Sequence, residues 1–189
     1  LQADILDLKK IGRQFDLIES AGVLHHMQDP MAGWRVLTEV LRPGGIMMIG
    51  LYSEIAREKV VKLREEIKER GINNDVDSIK RYRQELIEGP KKGYVSQLWG
   101  DFFSTSEIRD LLFHVQEHRY TIPRIKSSLE ELGLEFSGFR LRNSLMNLFK
   151  DLYGDEADTF DLGLWDEFES RHPDTFAGMY QFWCQKGED

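Results

Sequence analysis

The sequence predicts an α/β fold built on a parallel sheet, and three neighbouring segments carry that prediction. Two short apolar runs, residues 15–18 and 46–51, lie one βαβ unit apart. Between them Asp29 and Pro30 open an amphipathic helix, because an aspartate caps orphan N–H groups and a proline there loses no hydrogen bond. Such crossovers are right-handed in nearly all proteins, so the two strands should lie parallel with the helix on one face.

The segments around this unit follow from turn residues and caps. Residues 1–14 are expected to be a strand end and a loop that lead into the first complete strand. Pro43 should end the helix, and Gly44 and Gly45 should allow a tight reversal into the second strand. Ser53 is expected to cap the next helix, which should end at Gly71.

The rest of the chain shows mostly helical spacing. Helices are expected from residue 77 or 78 to the loop at 89–93, after residue 104, and over 121–132, 143–153 and 160–171. Apolar positions alternate over 134–141 but change phase around Gly138, which predicts a strand with a bulge. A final strand is expected over 179–185.

Composition excludes several classes of protein. The 189 residues suffice for one well-packed domain, and the net charge of −8 argues against a nucleic-acid binder or a binder of anionic membranes. The single cysteine, Cys184, excludes an internal disulfide and fits a reducing compartment. No apolar run reaches the length of a membrane span, so a cytoplasmic protein is expected. Because Leu1 is not an initiator methionine, we expect a segment of a longer chain.

The motifs FDLIES, VLHHMQDP, LRPGG and MMIGLYS, in this order, resemble the second half of a class I S-adenosylmethionine-dependent methyltransferase. Upstream, ADILDL resembles the acidic loop in which that family holds the adenine amino group, which would give this role to Asp4. The later motifs GLYSEIAR, DLLFHVQEHRYT and FAGMYQFWCQK are similar to bacterial methyltransferase domains that often follow tetratricopeptide repeats. The resemblance implies a Rossmann-like sheet that ends in an antiparallel hairpin, with S-adenosyl-L-methionine as cofactor.

The resemblance also implies what this stretch of sequence does not carry. The family's N-terminal strands, its Gly-rich loop and its ribose-binding acid have no counterpart in the chain. We therefore expect one partial domain, with an α/β core at 1–53 and 99–189 and a helical insertion at 54–98. The segment alone should bind the cofactor weakly or not at all and be inactive. Its uncovered first strand could pair with a second copy to give a homodimer.

Candidate site residues follow from the same comparison, because open α/β sheets bind ligands at the carboxyl ends of their strands. For a methyl acceptor, histidines suit proton removal near neutral pH. Turn or capping roles are the alternative for Asp4 and the histidines, and a structural role is the alternative for the polar helix end at 114–120. The candidates for cofactor binding are Asp4, Ile5, Glu19, Ser20 and Ala21; the candidates for the acceptor side or catalysis are His25, His26, Tyr52, Glu54, His114, Glu117, His118 and Arg119.

Two other functions stay open on the sequence. HVQEH at 114–118 has the H-x-x-E-H pattern of a zinc metallopeptidase, in which two histidines on one helical face bind the metal. That hypothesis lacks a third ligand marked by spacing. The uncovered strand and the charged helices at 54–88 would instead suit a non-catalytic interaction module. The methyl acceptor is not identified by any motif.

Overall fold

The computed structural model describes residues 3–90, 104–113 and 116–188, and they belong to two compact units. The first unit comprises Leu1–Ile55 and Gln116–Asp189, and the second comprises Ala56–Val115. The first unit contains short 3-10 helices at Ile5–Ile11 and Leu24–His26, strands β1 (Phe15–Ala21), β2 (Leu41–Ser53), β3 (Arg119–Tyr120), β4 (Leu134–Phe139) and β5 (Tyr180–Lys186), and helices α1 (Pro30–Val40), α5 (Ile122–Leu132), α6 (Asn143–Tyr153) and α7 (Leu162–Arg171).

The sheet has the order β1-β2-β5-β4, with β3 paired to the end of β2. Strands β1 and β2 are parallel, with Ile18 opposite Met47 and Ser20 opposite Ile49, so the predicted βαβ unit is confirmed. Strand β5 is antiparallel to both β2 and β4, which gives the expected final hairpin. The register of β4 shifts between Phe136 and Gly138, where the sequence predicted a bulge.

Three local predictions were wrong. Residues 5–11 form a 3-10 helix rather than a strand end. Pro43 and the glycines after it lie inside β2 rather than in a turn before it, and the register between β1 and β2 shifts there to absorb them. Ser53 is the buried last residue of β2 and caps no helix; the next helix begins at Glu58, after Arg57.

One face of the sheet carries the hydrophobic core of the first unit. Alternate residues of β2, namely Met47, Ile49 and Leu51, pack in one cluster with buried side chains from all four helices. Strand β1 lies at one edge of the sheet and pairs only with β2 among the described residues. Its Leu17 side chain is 56% exposed, so the expected uncovered edge strand is present in the described part of the chain.

The second unit is helical and has its own core. Its helices are α2 (Glu58–Glu69), α3 (Val76–Glu88) and α4 (Thr105–Phe113). Leu63, Ile79 and Leu112, one from each helix, are fully or almost fully buried in a single cluster. The sequence placed a helical insertion at 54–98, whereas the compact unit runs to Val115 and includes α4. None of the described helices is long and apolar enough to cross a membrane.

Candidate functional site

A groove runs along β1 toward the carboxyl end of the sheet. It encloses about 660 Å³, which is within the range of ordinary small-molecule sites. Its walls are mostly apolar, and its polar side chains come from the last residues of the strand. The lining residues are Ile5, Leu8, Phe15, Leu17, Ile18, Glu19, Ser20, Ala21, Val23, Leu37 and Val40.

Ser20 gives this groove its most specific polar group. The side chain is only 6% exposed, and its Oγ has no hydrogen-bond partner among the residues that the structure describes. A buried hydroxyl without a partner is costly, so a ligand that hydrogen-bonds to it would recover that cost. The predicted cofactor residues Ile5, Glu19, Ser20 and Ala21 all line this groove.

Asp4 has a different environment from these four residues. Its carboxylate accepts a hydrogen bond of 2.9 Å from the Leu6 N–H and thereby caps the first 3-10 helix. It is not among the residues that line the groove. Its contact with an adenine ring stays a prediction, whereas its role as the N-cap of the 3-10 helix is seen in the structure.

The two histidines and Tyr52 form an aromatic cluster. The ring of His25 is fully buried and lies 4.0 Å from the Tyr52 ring and 4.3 Å from the His26 ring, centroid to centroid. The Nδ1 of His26 lies 3.1 Å from the carbonyl oxygen of Gln116. Because a carbonyl only accepts, Nδ1 carries the proton of a neutral ring and Nε2 carries the basic lone pair.

The segment 116–120 joins this cluster through its backbone. His118 donates its N–H to the carbonyl oxygen of His25 at 2.8 Å, and Glu54 donates its N–H to the carbonyl oxygen of Tyr120 at 2.8 Å. Arg119 pairs with Tyr52 in the short parallel ladder between β2 and β3. Glu117, His118 and Arg119 are half-buried, while Glu54 is exposed. The structure therefore brings together three predicted segments, 25–26, 52–54 and 117–119.

The zinc hypothesis requires His114 and His118 on one face of a helix, and the described part of this segment is not helical. Helix α4 ends at Phe113, and residues 116–118 are not helical, so His118 does not continue a helix on which His114 could be its neighbour. His114 itself lies outside the described residues. Among the residues that are described, no group of three or more histidine, cysteine or acidic side chains is placed to hold a metal ion.

Glu169 on α7 is a buried acid that the sequence offered only as one of several acids that could complete a zinc site, with no spacing to single it out. Its side chain is fully buried and accepts hydrogen bonds from Ser53 Oγ at 2.6 Å and from the Tyr180 hydroxyl at 2.5 Å. Burial raises the pKa of the Glu169 carboxyl, and the two hydrogen bonds only partly oppose this. The available signal was its position four residues after Trp165 on the apolar face of a helix.

The raised pKa predicts a pH dependence of folding stability. The unfolded carboxyl ionises near 4.5, whereas the folded one holds its proton to higher pH, also because Asp166 lies nearby. Above pH 4.5 the unfolded state thus binds fewer protons, and the free energy of unfolding should fall until the pH passes the folded pKa. Glu169→Gln should remove this slope. Urea unfolding of both proteins from pH 4 to pH 8 measures it, and parallel curves would contradict the prediction.

Comparisons with known proteins agree with this architecture. Residues 1–49 match a family model described as a methyltransferase domain. An uncharacterized protein of Synechococcus sp. is 31% identical over 150 residues, which are 75% of this chain and 36% of that protein. The structure of PKMT2 from Rickettsia typhi superposes with a TM-score of 0.64 at 13% identity, over 96% of this chain and 37% of the other. The structure of the same protein in complex with AdoHcy superposes with a TM-score of 0.63 at 13% identity, over 99% of this chain and 38% of the other.

The chain thus spans little more than a third of the length of the proteins that it matches. The structural likeness supports the Rossmann-like sheet predicted from the sequence, and the family match covers the segment with β1, α1 and most of β2. These matches support the methyltransferase resemblance found in the sequence: the chain shares its fold with PKMT2, and its first 49 residues match a methyltransferase domain model, while the tetratricopeptide context stays a prediction.

Proposed function

We propose that the protein to which these residues belong transfers a methyl group from S-adenosylmethionine to an acceptor of unknown identity. The observation that carries this proposal is the groove along β1, which reaches the carboxyl end of the strand at Glu19, Ser20 and Ala21 and is lined there by Ser20 with its buried Oγ, which is unpartnered among the described residues. Open α/β sheets bind ligands at this rim. The AdoHcy complex of a structurally similar protein supports a cofactor of this type.

The residues around the groove suit the nucleoside end of such a cofactor. Ile5 and Leu8 offer an apolar surface for a flat base, and Ser20 offers a hydroxyl that can donate or accept. Glu19 adds a carboxylate that can accept hydrogen bonds from ligand hydroxyl or amino groups. When bound, the cofactor would supply a methyl group on a sulfonium, which is a good leaving group.

The cluster of His25, His26 and Tyr52 suits the acceptor side. His26 is the candidate to take the proton that the acceptor nucleophile loses as it bonds to the methyl carbon, while the sulfide leaves. Tyr52, backed by the buried ring of His25, would form the wall that holds the nucleophile in line with the methyl group. The backbone of Arg119 pairs with Tyr52, and the Glu54 N–H donates to the carbonyl oxygen of Tyr120, so both residues would lie near this wall and shape its outer part.

We further propose that additional strands complete the sheet beside β1. The exposed Leu17 and Phe15 side chains support this, as does the edge of β1, which pairs with no second strand among the described residues. On this proposal the added strands cover the start of the groove at Phe15 and Leu17, and its end at residues 19–21 stays available to the cofactor. On this proposal the 189 residues alone bind the cofactor weakly and do not transfer methyl groups. The alternative is that a second copy of the chain pairs with β1 and covers the edge. Light scattering distinguishes the two possibilities, because only pairing with a second copy gives a dimer.

The acceptor and the compartment are proposals of the same kind. The net charge of −8 supports an acceptor other than nucleic acid. Cys184 is buried, and burial raises the pKa of its thiol to about 12, so it is an unreactive side chain. A chain whose single cysteine stays reduced suits the cytoplasm, where we place the reaction.

The test is AdoHcy binding by calorimetry, with the longer parent protein and with these 189 residues. Ser20→Val should lower the affinity about tenfold, because one buried hydrogen bond to the ligand is lost. Ser137→Val is the matched control, since Ser137 is exposed on β4 and lines no part of the groove. Equal affinities of the two variants would overturn the assignment of the groove, and a parent protein that binds no AdoHcy would overturn the function.

A non-catalytic interaction module remains the second candidate, because the open edge of β1 is a ready site for strand pairing. It predicts the opposite pattern of results. AdoHcy would not bind to any form of the protein, and Leu17→Lys at the exposed edge would abolish self-association or partner binding.

A further inference from the structure

Glu169 connects two parts of the first unit that the chain separates by 116 residues. It projects from α7 into the core, where it is fully buried among aromatic side chains. Both of its oxygens accept short hydrogen bonds, one from Ser53 on β2 and one from Tyr180 on β5. A buried carboxyl with two partners fixes its surroundings more specifically than an apolar side chain, because its hydrogen bonds have preferred directions.

Ser53 is the residue through which this carboxyl reaches the rim of the sheet. It is the last residue of β2, and the residue before it is Tyr52, whose side chain points to the opposite face. Ser53 also pairs with Tyr120 of β3, next to the pair between Tyr52 and Arg119. A constraint on Ser53 therefore constrains the strand end from which Tyr52 extends toward the ring of His25.

We propose that Glu169 is a positioning residue that holds Tyr52 against His25 through Ser53. The effect on methyl transfer rests on the proposed function, whereas the effect on the position of Tyr52 does not. The carboxyl does not line the groove; it fixes the end of β2, and the end of β2 fixes the wall formed by Tyr52. Its second hydrogen bond, to Tyr180, anchors the carboxyl itself on β5.

Two single hydroxyl deletions test this, because each removes one hydrogen bond to the same buried carboxyl. Ser53→Ala removes the hydroxyl that joins the end of β2 to Glu169. Tyr180→Phe keeps the hydrogen bond from Ser53 to Glu169, although it also removes an interaction between the Tyr180 hydroxyl and Ser53. The imidazole resonances of His25 and His26, measured by NMR, report the stacking of Tyr52. His172, whose ring lies 4.8 Å from Phe168 on α7, reports the helix that carries Glu169.

We expect Ser53→Ala to shift the resonances of His25 and His26 and to leave that of His172 in place, while Tyr180→Phe leaves all three in place. In methyl-transfer assays with the parent protein, kcat/KM should fall about tenfold in Ser53→Ala, since a small misplacement of a wall residue is costly. In Tyr180→Phe it should fall less than about twofold.

Equal shifts of His25 and His26 in both variants, or no shift in either, would overturn the proposal and reduce Glu169 to a core residue. The resonance comparison needs no cofactor and no activity. If the parent protein transfers no methyl group, the proposed function fails while the resonances still decide the role of Glu169. If the resonances behave as expected but kcat/KM is equal in the two variants, the proposed effect on methyl transfer is wrong.

Discussion

Gly50→Val is expected to push apart the carboxyl ends of β1 and β2 and to abolish AdoHcy binding by the protein. A Cβ at position 50 would lie 2.9 Å from the Cα and the Cβ of Ala21 and 2.8 Å from Sδ of Met179. Contacts this short do not occur, and the backbone of Ala21 cannot yield as a flexible side chain can. Ala21 lines the groove, so any movement of β1 changes the site directly.

The stability of the fold should also suffer in this variant. Overpacking of a well-packed position costs typically about 1–3 kcal/mol, and here the strain lies between two paired strands. Calorimetry with AdoHcy and urea unfolding measure the two effects. Gly178→Val is the matched control, because a Cβ at position 178 meets nothing within 4 Å. A Gly50→Val protein that binds AdoHcy like this control would show that the groove does not depend on the close approach of the two strands.

Gly50 also shows where the sequence stops being informative. Gly44 and Gly45 indicate a turn in the sequence because two adjacent glycines allow a tight reversal, while Gly50 lies inside an apolar run without any turn signal. In the structure Gly44 has a φ of +71° within an irregular part of β2, so its backbone freedom is needed there, although no turn forms. Gly50 is needed for space, and space between strands depends on a partner that the local sequence does not reveal.

The βαβ unit was predictable because each of its signals is local. Asp29 accepts the hydrogen bond from the Ala32 N–H that its capping role requires, and the handedness of the crossover then fixes the strand direction. Ser53 shows the opposite case. A serine before a charged helical segment indicates a cap, but its hydroxyl donates to Glu169, 116 residues away. Tertiary burial decided between two roles that are equivalent in the sequence.

The candidate site was predictable as a set of segments but not as a geometry. The family motifs placed Glu19 to Ala21 and Tyr52 at strand ends, and these residues do lie at the rim. The sequence could not show that His118 would donate its N–H to the His25 carbonyl, because the HVQEH pattern favoured a helix. Residues 116–118 of this pattern are not helical, and the short parallel ladder of Arg119 and Tyr120 with β2 follows them.

Trp165→Ala is expected to destabilise the first unit by about 3–5 kcal/mol, the range for the loss of a large buried aromatic side chain. Trp165 is fully buried, and its ring stacks on Phe149 with a centroid distance of 4.0 Å and an interplanar angle of 19°. Its Nε1–H also donates to the carbonyl oxygen of Thr159 at 2.9 Å. Truncation therefore removes packing between α6 and α7 and leaves that carbonyl oxygen without this donor.

Because Trp165 and Glu169 lie one helical turn apart on α7, the loss of the tryptophan should also reach the rim of the sheet. Urea unfolding followed by circular dichroism measures the stability, and the NMR resonance of His25 measures the rim. Leu152→Ala is the control, since this side chain on α6 is 46% exposed and its removal should cost less than about 0.5 kcal/mol. A loss below about 1 kcal/mol in Trp165→Ala would contradict the packing described for α7. If Trp165→Ala loses about the expected 3–5 kcal/mol but the His25 resonance is unchanged, the packing of Trp165 does not affect the rim of the sheet. Glu169 would then hold Ser53 without help from its own helix.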